Sequence, residues 1–114
     1  MKTKAIHQVD LAFRAVADPT RLRILNLLHG GERCVCELVD VLGCPQPKAS
    51  RHLAYLRRAG LVSVRKEGLW AYYKLAPARN AFHRKLLECL GTCCNDVPVM
   101  NRDSKRLEQN AKCC

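Results

Sequence analysis

The stretch that decides the fold runs from Cys34 to Leu75 and reads CVCELVDVLGCPQPKASRHLAYLRRAGLVSVRKEGLWAYYKL. Its apolar residues first follow a helical spacing that ends at Gly43, and they resume it between residues 46 and 59, after a tight turn at Cys44-Pro45. Beyond Gly60 the apolar residues alternate with polar ones, which is typical of strands. The stretch therefore predicts two short helices followed by a β-hairpin.

The hairpin is expected to pair two short strands, residues 61–66 and 69–75, around a tip at Lys66-Glu67-Gly68. Trp70 and Tyr72 are expected to pack this hairpin onto the body of the domain. Two short helices joined by a glycine-containing turn and followed by a hairpin define a winged helix-turn-helix, whose second helix enters the DNA major groove. The expected fold class is therefore mainly α with a β-hairpin wing.

Two further helices are expected upstream of this stretch. Residues 5–17 carry their apolar side chains on one helical face. Asp18 can then cap a second helix that Pro19 opens and Gly30-Gly31 ends. Because this second helix is apolar on most sides, we expect it to lie at the centre of the core.

Downstream, Pro77 is expected to open a last major helix with a strong apolar stripe, made of Phe82, Leu86, Leu87 and Leu90. The stripe could pack on its own domain, but small DNA-binding domains usually work as symmetric pairs, so we expect a homodimer. Residues 1–92 are expected to form the DNA-binding and dimerisation domain, and residues 93–114 a polar, cysteine-containing tail. Within that tail, residues 101–114 could form a weak final helix, with Leu107 as its only large apolar residue.

Composition limits the partners. The chain has 114 residues, with 20 basic and 10 acidic ones and a formal net charge of +10. The stretch from Val41 to Lys66 holds no acidic residue, and such a basic block favours a polyanion partner, although a solvated charged face is the alternative. No apolar run reaches the roughly 18 residues of a membrane helix, so no membrane partner is expected.

The eight cysteines do not fit a disulfide scaffold, because the N-terminal segment does not resemble a secretory signal and several cysteines are adjacent in sequence. We therefore expect a cytoplasmic protein with free thiols. So many thiols in a small reduced protein point to soft-metal binding or to redox chemistry.

Polar and basic side chains on the second helix of the motif suit DNA recognition, because Arg and Gln can each bond a base edge twice and Lys and Ser reach phosphates. His52 is interpreted as a phosphate contact or a surface residue, since no second ligand lies at metal-binding spacing. The residues expected to bind DNA are Gln46, Pro47, Lys48, Ser50, Arg51, His52, Tyr55, Arg65 and Lys66.

Five motifs in order are similar to those of the ArsR/SmtB family of winged-helix metalloregulators. They are ADPTRLRIL at 17–25, CVCEL at 34–38, QPKASRHL at 46–53, RRAGLV at 57–62 and EGLWAYY at 67–73. The resemblance covers roughly residues 9–90. It implies a homodimeric repressor that leaves double-stranded operator DNA when a metal or metalloid binds.

Within that family, a Cys-Val-Cys at the start of the first helix of the motif marks responders to arsenite and antimonite, which implies Cys34 and Cys36 as ligands here. Thiolates are suitable, because trivalent arsenic and antimony are soft. Residues two apart on a helix point about 200° away from each other, so we expect binding to distort the helix start and to displace the following helix from DNA. No organic cofactor is expected.

The sequence departs from the family pattern at two positions. Val39 stands where a third cysteine is often found, so a third ligand comes from elsewhere or the site uses two thiolates. Pro45 replaces a serine that can cap the following helix. Cys44 is interpreted as a core residue. A competing metal site is Cys93 with Cys94, ahead of the terminal pair Cys113 and Cys114.

Two other functions remain as alternatives. The same thiols would serve a redox-sensing DNA-binding regulator. A small thiol oxidoreductase would need a Cys-x-x-Cys beside a βαβ unit, which the sequence lacks. Since catalytic triads, phosphate-binding glycine loops and paired carboxylates are also missing from the sequence, we expect no enzyme.

Overall fold

The computed structural model describes residues 2–93 and 96–109, with side chains from residue 6 to residue 92 in the first range. The elements in chain order are α1 (Lys2–Val16), α2 (Pro19–Leu28), β1 (Arg33–Cys34), α3 (Val35–Leu42), α4 (Gln46–Arg58), β2 (Val62–Glu67), β3 (Trp70–Leu75), α5 (Ala81–Cys93) and α6 (Pro98–Gln109). None of the helices in these ranges has the length and the apolar character that crossing a membrane requires.

Local signals set the ends of the central helices. The Asp18 carboxylate accepts a hydrogen bond from the Arg21 backbone N–H at 3.0 Å, and Pro19 occupies the first turn of α2. Gly43 ends α3 with a left-handed φ of 67°, which a side chain would strain. The predicted cap of α2 and the predicted end of α3 are confirmed.

The core forms around α2, as its apolar composition predicts. Ile24, Leu25, Leu27 and Leu28 are almost fully buried and contact apolar side chains from α1, α3, α4 and β2. The predicted inner face of α4 is also confirmed, since Ala49, Leu53 and Leu56 have no exposed surface. Burying three such positions at helical spacing leaves the opposite face of α4 in solvent.

The sheet has one strand more than predicted. Its order is β1-β3-β2, with all neighbours antiparallel, and the short strand β1 pairs Cys34 with Tyr72. The predicted hairpin is confirmed, but its turn lies at Gly68-Leu69, because Glu67 still pairs with Trp70. Trp70 is 47% exposed, so the expectation that it packs onto the body is wrong. We call β2, β3 and their turn the wing.

The start of α5 also differs from the sequence expectation. The helix begins at Ala81 rather than at Pro77, because the Asn80 side chain accepts a hydrogen bond from the His83 N–H at 2.8 Å and so caps it. The apolar stripe of α5 is half-buried. Its Phe82 ring lies 5.3 Å from that of Phe13 on α1, centroid to centroid.

Residues 98–109 are helical, in partial agreement with the weak final helix expected at residues 101–114, but they begin earlier and pack more closely than expected. They form α6, which packs against α2 and α3 and buries Met100, Asp103 and Leu107. The Asp103 carboxylate is fully buried and accepts two hydrogen bonds from the Arg23 guanidinium, at 2.7 and 2.9 Å. These bonds raise the pKa of Arg23. The bidentate pair therefore attaches α6 to the central helix.

Replacing Asp103 by Ala tests this attachment. We expect the free energy of unfolding to fall by about 3 kcal/mol, since the change leaves a partly buried guanidinium without its partner. Urea unfolding followed by circular dichroism measures the loss.

Asp10→Ala is the matched control, because Asp10 also binds an arginine, at 2.9 Å, but is 51% exposed. This exposed pair should contribute less than about 1 kcal/mol. Equal losses in the two variants would contradict a special role for the buried pair.

Candidate functional site

The outer face of α4 carries the residues that the sequence assigns to DNA. Gln46, Pro47, Lys48 and Arg51 are exposed there, and Ser50 is half-buried beside them. No side chain caps the start of this helix, where the Pro45 carbonyl accepts bonds from the Lys48 and Ala49 N–H groups, both at 3.1 Å. Amide, hydroxyl and cationic groups thus share one solvent-facing surface, which we call the reading face.

His52 and Tyr55 belong to a different environment, which sequence reasoning missed. The Arg21 guanidinium donates to the backbone carbonyls of Ala15 at 2.6 Å and Arg14 at 3.1 Å. It also lies 4.1 Å from the centre of the Tyr55 ring and 3.3 Å from His52 Nδ1. One side chain therefore joins the end of α1, the start of α2 and the middle of α4.

The protonation state of His52 follows from these contacts. A guanidinium can only donate, so His52 Nδ1 accepts and the ring proton of the neutral form lies on Nε2. Burial lowers the pKa of His52; Asp18 opposes this shift, and nearby basic residues add to it. His52 is thus a neutral donor at pH 7, attached to the body of the domain.

The wing does not present Arg65 as a free cation. Its guanidinium bonds both carboxylate oxygens of Glu32, at 2.8 and 3.3 Å, and also bonds Glu67. The hydrogen bonds that Arg65 donates to Glu32 and then to Glu67 raise the pKa of Arg65, and its guanidinium covers the Tyr72 ring at 4.6 Å. The cation predicted to bind phosphate is therefore compensated by two carboxylates, while Lys66 next to it is exposed.

The second cluster of predicted residues is the thiol pair, Cys34 and Cys36. Their sulfur atoms lie 3.1 Å apart. The expectation that the helix start must be distorted to bring them together is wrong, because Cys34 precedes the helix with extended backbone angles of φ −70° and ψ 146°. The Glu37 carboxylate accepts the Cys34 N–H at 3.0 Å and keeps this junction in place.

This separation suits one soft ion. With sulfur bonds of about 2.3 Å, a gap of 3.1 Å corresponds to an angle of about 85° at the ion. Such a narrow angle fits a pyramidal trivalent ion better than a tetrahedral one. Within the described ranges, no group of three or more His, Cys, Asp or Glu side chains is placed to hold a metal ion. The described part of the site thus offers the sulfur atoms of Cys34 and Cys36.

The remaining cysteines contribute unevenly. Cys44 is half-buried against the core, as its interpretation from the sequence requires. Cys93 ends α5, but its side chain lies outside the described residues, as do Cys94, Cys113 and Cys114. The competing site at Cys93 and Cys94 therefore stays a prediction.

The sheet brings the thiol pair next to the wing. Cys34 pairs with Tyr72, and Tyr72 pairs with Arg65 on its other side. Glu32, which bonds Arg65, precedes β1 by one residue. A displacement of β1 would therefore also move the wing, because β1 pairs with β3 and Glu32 bonds Arg65.

The chain is similar to known regulatory proteins. Residues 18–64 match the family described as "Bacterial regulatory protein, arsR family". The arsenical resistance operon repressor of Escherichia coli (strain K12) is 46% identical over 82 residues, which cover 71% of this chain and 70% of the relative. An uncharacterized HTH-type transcriptional regulator of Methanocaldococcus jannaschii is 50% identical over 68 residues, covering 59% of this chain and 76% of the relative.

Solved structures agree on the architecture. The homodimeric winged helix-turn-helix DNA-binding domain from Mycobacterium bovis has a TM-score of 0.70 at 32% identity and covers 83% of this chain and 85% of its own. HlyU from Vibrio cholerae has a TM-score of 0.67 at 36% identity and covers 76% of this chain and 91% of its own. The expected fold class, a winged helix-turn-helix, is confirmed.

Replacing Glu32 by Gln tests the compensation of Arg65. We expect affinity for a mixed-sequence DNA duplex to rise several-fold, because Arg65 loses one of its two carboxylates and can neutralise a phosphate. The slope of log affinity against log salt should steepen by about 0.9, the value for one added phosphate contact. Fluorescence anisotropy at several salt concentrations measures both quantities.

Glu88→Gln is the control with the same charge change. Glu88 is 57% exposed on α5, which is not part of the wing, and its carboxylate lies 3.6 Å from Lys85 Nζ. A general effect of net charge would raise the affinity of both variants equally, and that result would exclude a specific role for the Glu32–Arg65 pair.

Proposed function

Because this chain belongs to the arsR family of bacterial regulatory proteins, we propose that it is a transcriptional repressor that binds operator DNA as a homodimer and is released by trivalent arsenic or antimony. The family and the relatives are DNA-binding regulators, so the chain is not an enzyme. The observation that supports an arsenic or antimony inducer is the 3.1 Å distance between the Cys34 and Cys36 sulfur atoms.

The proposed DNA contacts divide into two groups. Gln46, Pro47, Lys48, Ser50 and Arg51 lie on the reading face and are proposed to touch bases and phosphates. Lys66 of the wing is proposed to lie on the flanking backbone, with Arg65 contributing only weakly while Glu32 and Glu67 hold its guanidinium. His52 and Tyr55 are proposed to act mainly by holding α4 on Arg21, with the His52 Nε2–H left for a phosphate.

The proposed dimer uses the apolar surface of α1 and α5. Ile6 is 70% exposed and Phe13 53% exposed on α1, although both are apolar, and Phe13 touches Phe82 of α5. Apolar rings exposed on adjacent helices are typical of an interaction surface. The related Mycobacterium bovis domain is described as homodimeric, which supports a second copy as the partner.

The proposed inducer acts by preferring one of two arrangements of the protein. Cys34 is fully buried and paired to β3, whereas Cys36 is half-buried on α3. Ligation of both sulfurs, with any third ligand from Cys93 or Cys94, would change the junction between β1 and α3. Since α3 leads into α4 and β1 pairs with the wing, both DNA-contacting elements would respond.

Replacing both Cys34 and Cys36 by Ser tests the inducer site. The DNA used is a duplex selected by the protein from a random pool, and the buffer is fully reducing. We expect arsenite or antimonite to weaken DNA binding by the wild type at least about tenfold, the scale of a typical allosteric coupling. The double variant should bind DNA with unchanged affinity and show no release in anisotropy titrations.

Cys89→Ser is the control, because Cys89 is an exposed cysteine on α5 rather than at the junction of β1 and α3. It should respond like the wild type. Release that persists in the double variant but disappears in Cys93→Ser/Cys94→Ser would move the site to the C-terminal pair. Release only by an oxidant, reversed by dithiothreitol, would instead identify a redox sensor.

The proposed dimer has its own test in Phe13→Asp. The exposed ring leaves the core unaffected, so we expect the variant to stay folded but to become monomeric at micromolar concentration. Light scattering coupled to size exclusion measures the mass, and circular dichroism checks the fold. Leu69→Asp makes the same change at the fully exposed wing turn and should stay dimeric. A dimeric Phe13→Asp protein would contradict this surface.

A further inference from the structure

A cavity that the proposed function does not use lies between α1, the end of α4 and the start of α5. Its volume is about 320 Å³, which is within the range of sites for small ligands. Apolar side chains cover much of its wall, including Val9, Leu61 and Phe82. Arg58, Arg79 and His83 provide its main polar groups. The cavity therefore has an apolar body and a polar end.

His83 is the unusual group in this cavity. Its side chain is only 6% exposed. Its Nδ1 accepts the Arg79 backbone N–H at 3.2 Å, so the ring proton of the neutral form lies on Nε2. Among the described residues, this buried Nε2–H has no hydrogen-bond partner. A buried donor without an acceptor is costly, and it indicates that an acceptor from outside the chain belongs here.

The charges around His83 define that acceptor. Burial and the positive charge of Arg79 lower the pKa of His83, which keeps the ring neutral and makes it a donor. Arg58 and Arg79 both line this cavity, and none of its described lining residues is acidic. A group that accepts hydrogen bonds and carries negative charge satisfies all three side chains.

The Arg79 side chain packs against the backbone at the end of α4. Its guanidinium lies over Gly60, where a Cβ would stand only 2.9 Å from Arg79 Cζ. Gly60 also needs its φ of +79°, so glycine serves both the end of α4 and the placement of Arg79. Arg79 is itself exposed, so this end of the cavity lies at the protein surface.

We propose that this cavity binds a small organic carboxylate with an apolar body, such as an aromatic or branched aliphatic acid. The carboxylate accepts the His83 Nε2–H and a guanidinium hydrogen bond, and the apolar body lies against Val9, Leu61 and Phe82. Because the cavity touches α1, α4 and α5, such a ligand connects the proposed dimer helices, α1 and α5, to the end of α4. It is a second effector site, separate from the thiol pair.

The test uses the full-length reduced protein with sodium benzoate and 3-methylbutanoate as probes. Isothermal titration and thermal unfolding measure binding in the absence of DNA and of arsenite, so the result is independent of the proposed inducer. We expect saturable binding and a raised Tm with both carboxylates. Benzamide has the same shape without the charge and should bind at least about tenfold more weakly, since it loses a charge-assisted hydrogen bond.

Two variants locate the site. His83→Phe keeps the ring and removes the donor, and Arg79→Gln removes one cation and remains informative if His83→Phe does not fold. Each should weaken benzoate binding at least about tenfold, the effect of one hydrogen bond to a charged group. Arg84→Gln has the same charge change at an exposed position of α5 and should bind like the wild type.

Several results would overturn the proposal. Among them are the absence of saturable binding, equal binding of benzamide or inorganic phosphate, and variants that bind benzoate as the wild type does. A His83→Phe protein whose only defect is a weaker dimer in sedimentation would also overturn it, because the acceptor for Nε2–H would then belong to a second copy.

Discussion

The placement of α4, the helix that carries the reading face, depends on the Arg21 guanidinium. Its bonds to the carbonyls of Ala15 and Arg14 fix it at the end of α1, and its contacts with Tyr55 and His52 fix α4 against that point. A carbonyl acceptor, an aromatic face and an imidazole nitrogen suit the planar, delocalised cation better than they would suit an ammonium. The orientation of the side chains on α4 that are proposed to contact DNA therefore depends on Arg21, whose guanidinium is held by α1 and α4.

A second constraint is the two-residue strand β1, which makes the sheet three-stranded. It places Cys34 beside Tyr72 and brings Glu32 within reach of Arg65. The same short segment thus carries one sulfur of the thiol pair and is flanked by the carboxylate that compensates the wing. Acidic compensation of Arg65 lowers the positive potential of the wing, so the net charge of +10 overstates what the wing offers to DNA.

Local signals account for most of what the sequence could predict. The Asp18 cap, the apolar runs of α2 to α4 and the left-handed glycine at position 43 each act within a few residues, so the helices were predictable. Features that depend on residues far away in the sequence could not be predicted. A strand of two residues has no periodicity, and Asp103 in a polar segment gives no sign of the arginine 80 positions away that buries it. The exposed polar face of α4 was predictable, but the contacts of His52 and Tyr55 depend on Arg21, which the sequence does not place beside them.

The thiol pair shows how one residue of register changes a mechanism. If Cys34 began the helix, its sulfur would point away from that of Cys36 and only unwinding would join them. With Cys34 extended, the two sulfurs already converge, so little conformational work is needed for the first contact. In the proposed function the conformational change occurs at Cys34 itself. This residue is buried and paired with β3, so full ligation must expose or shift it. In this proposal, soft-ion binding is coupled to the position of the wing, because β1 pairs with β3. It is coupled to the position of α4 through the junction between β1 and α3.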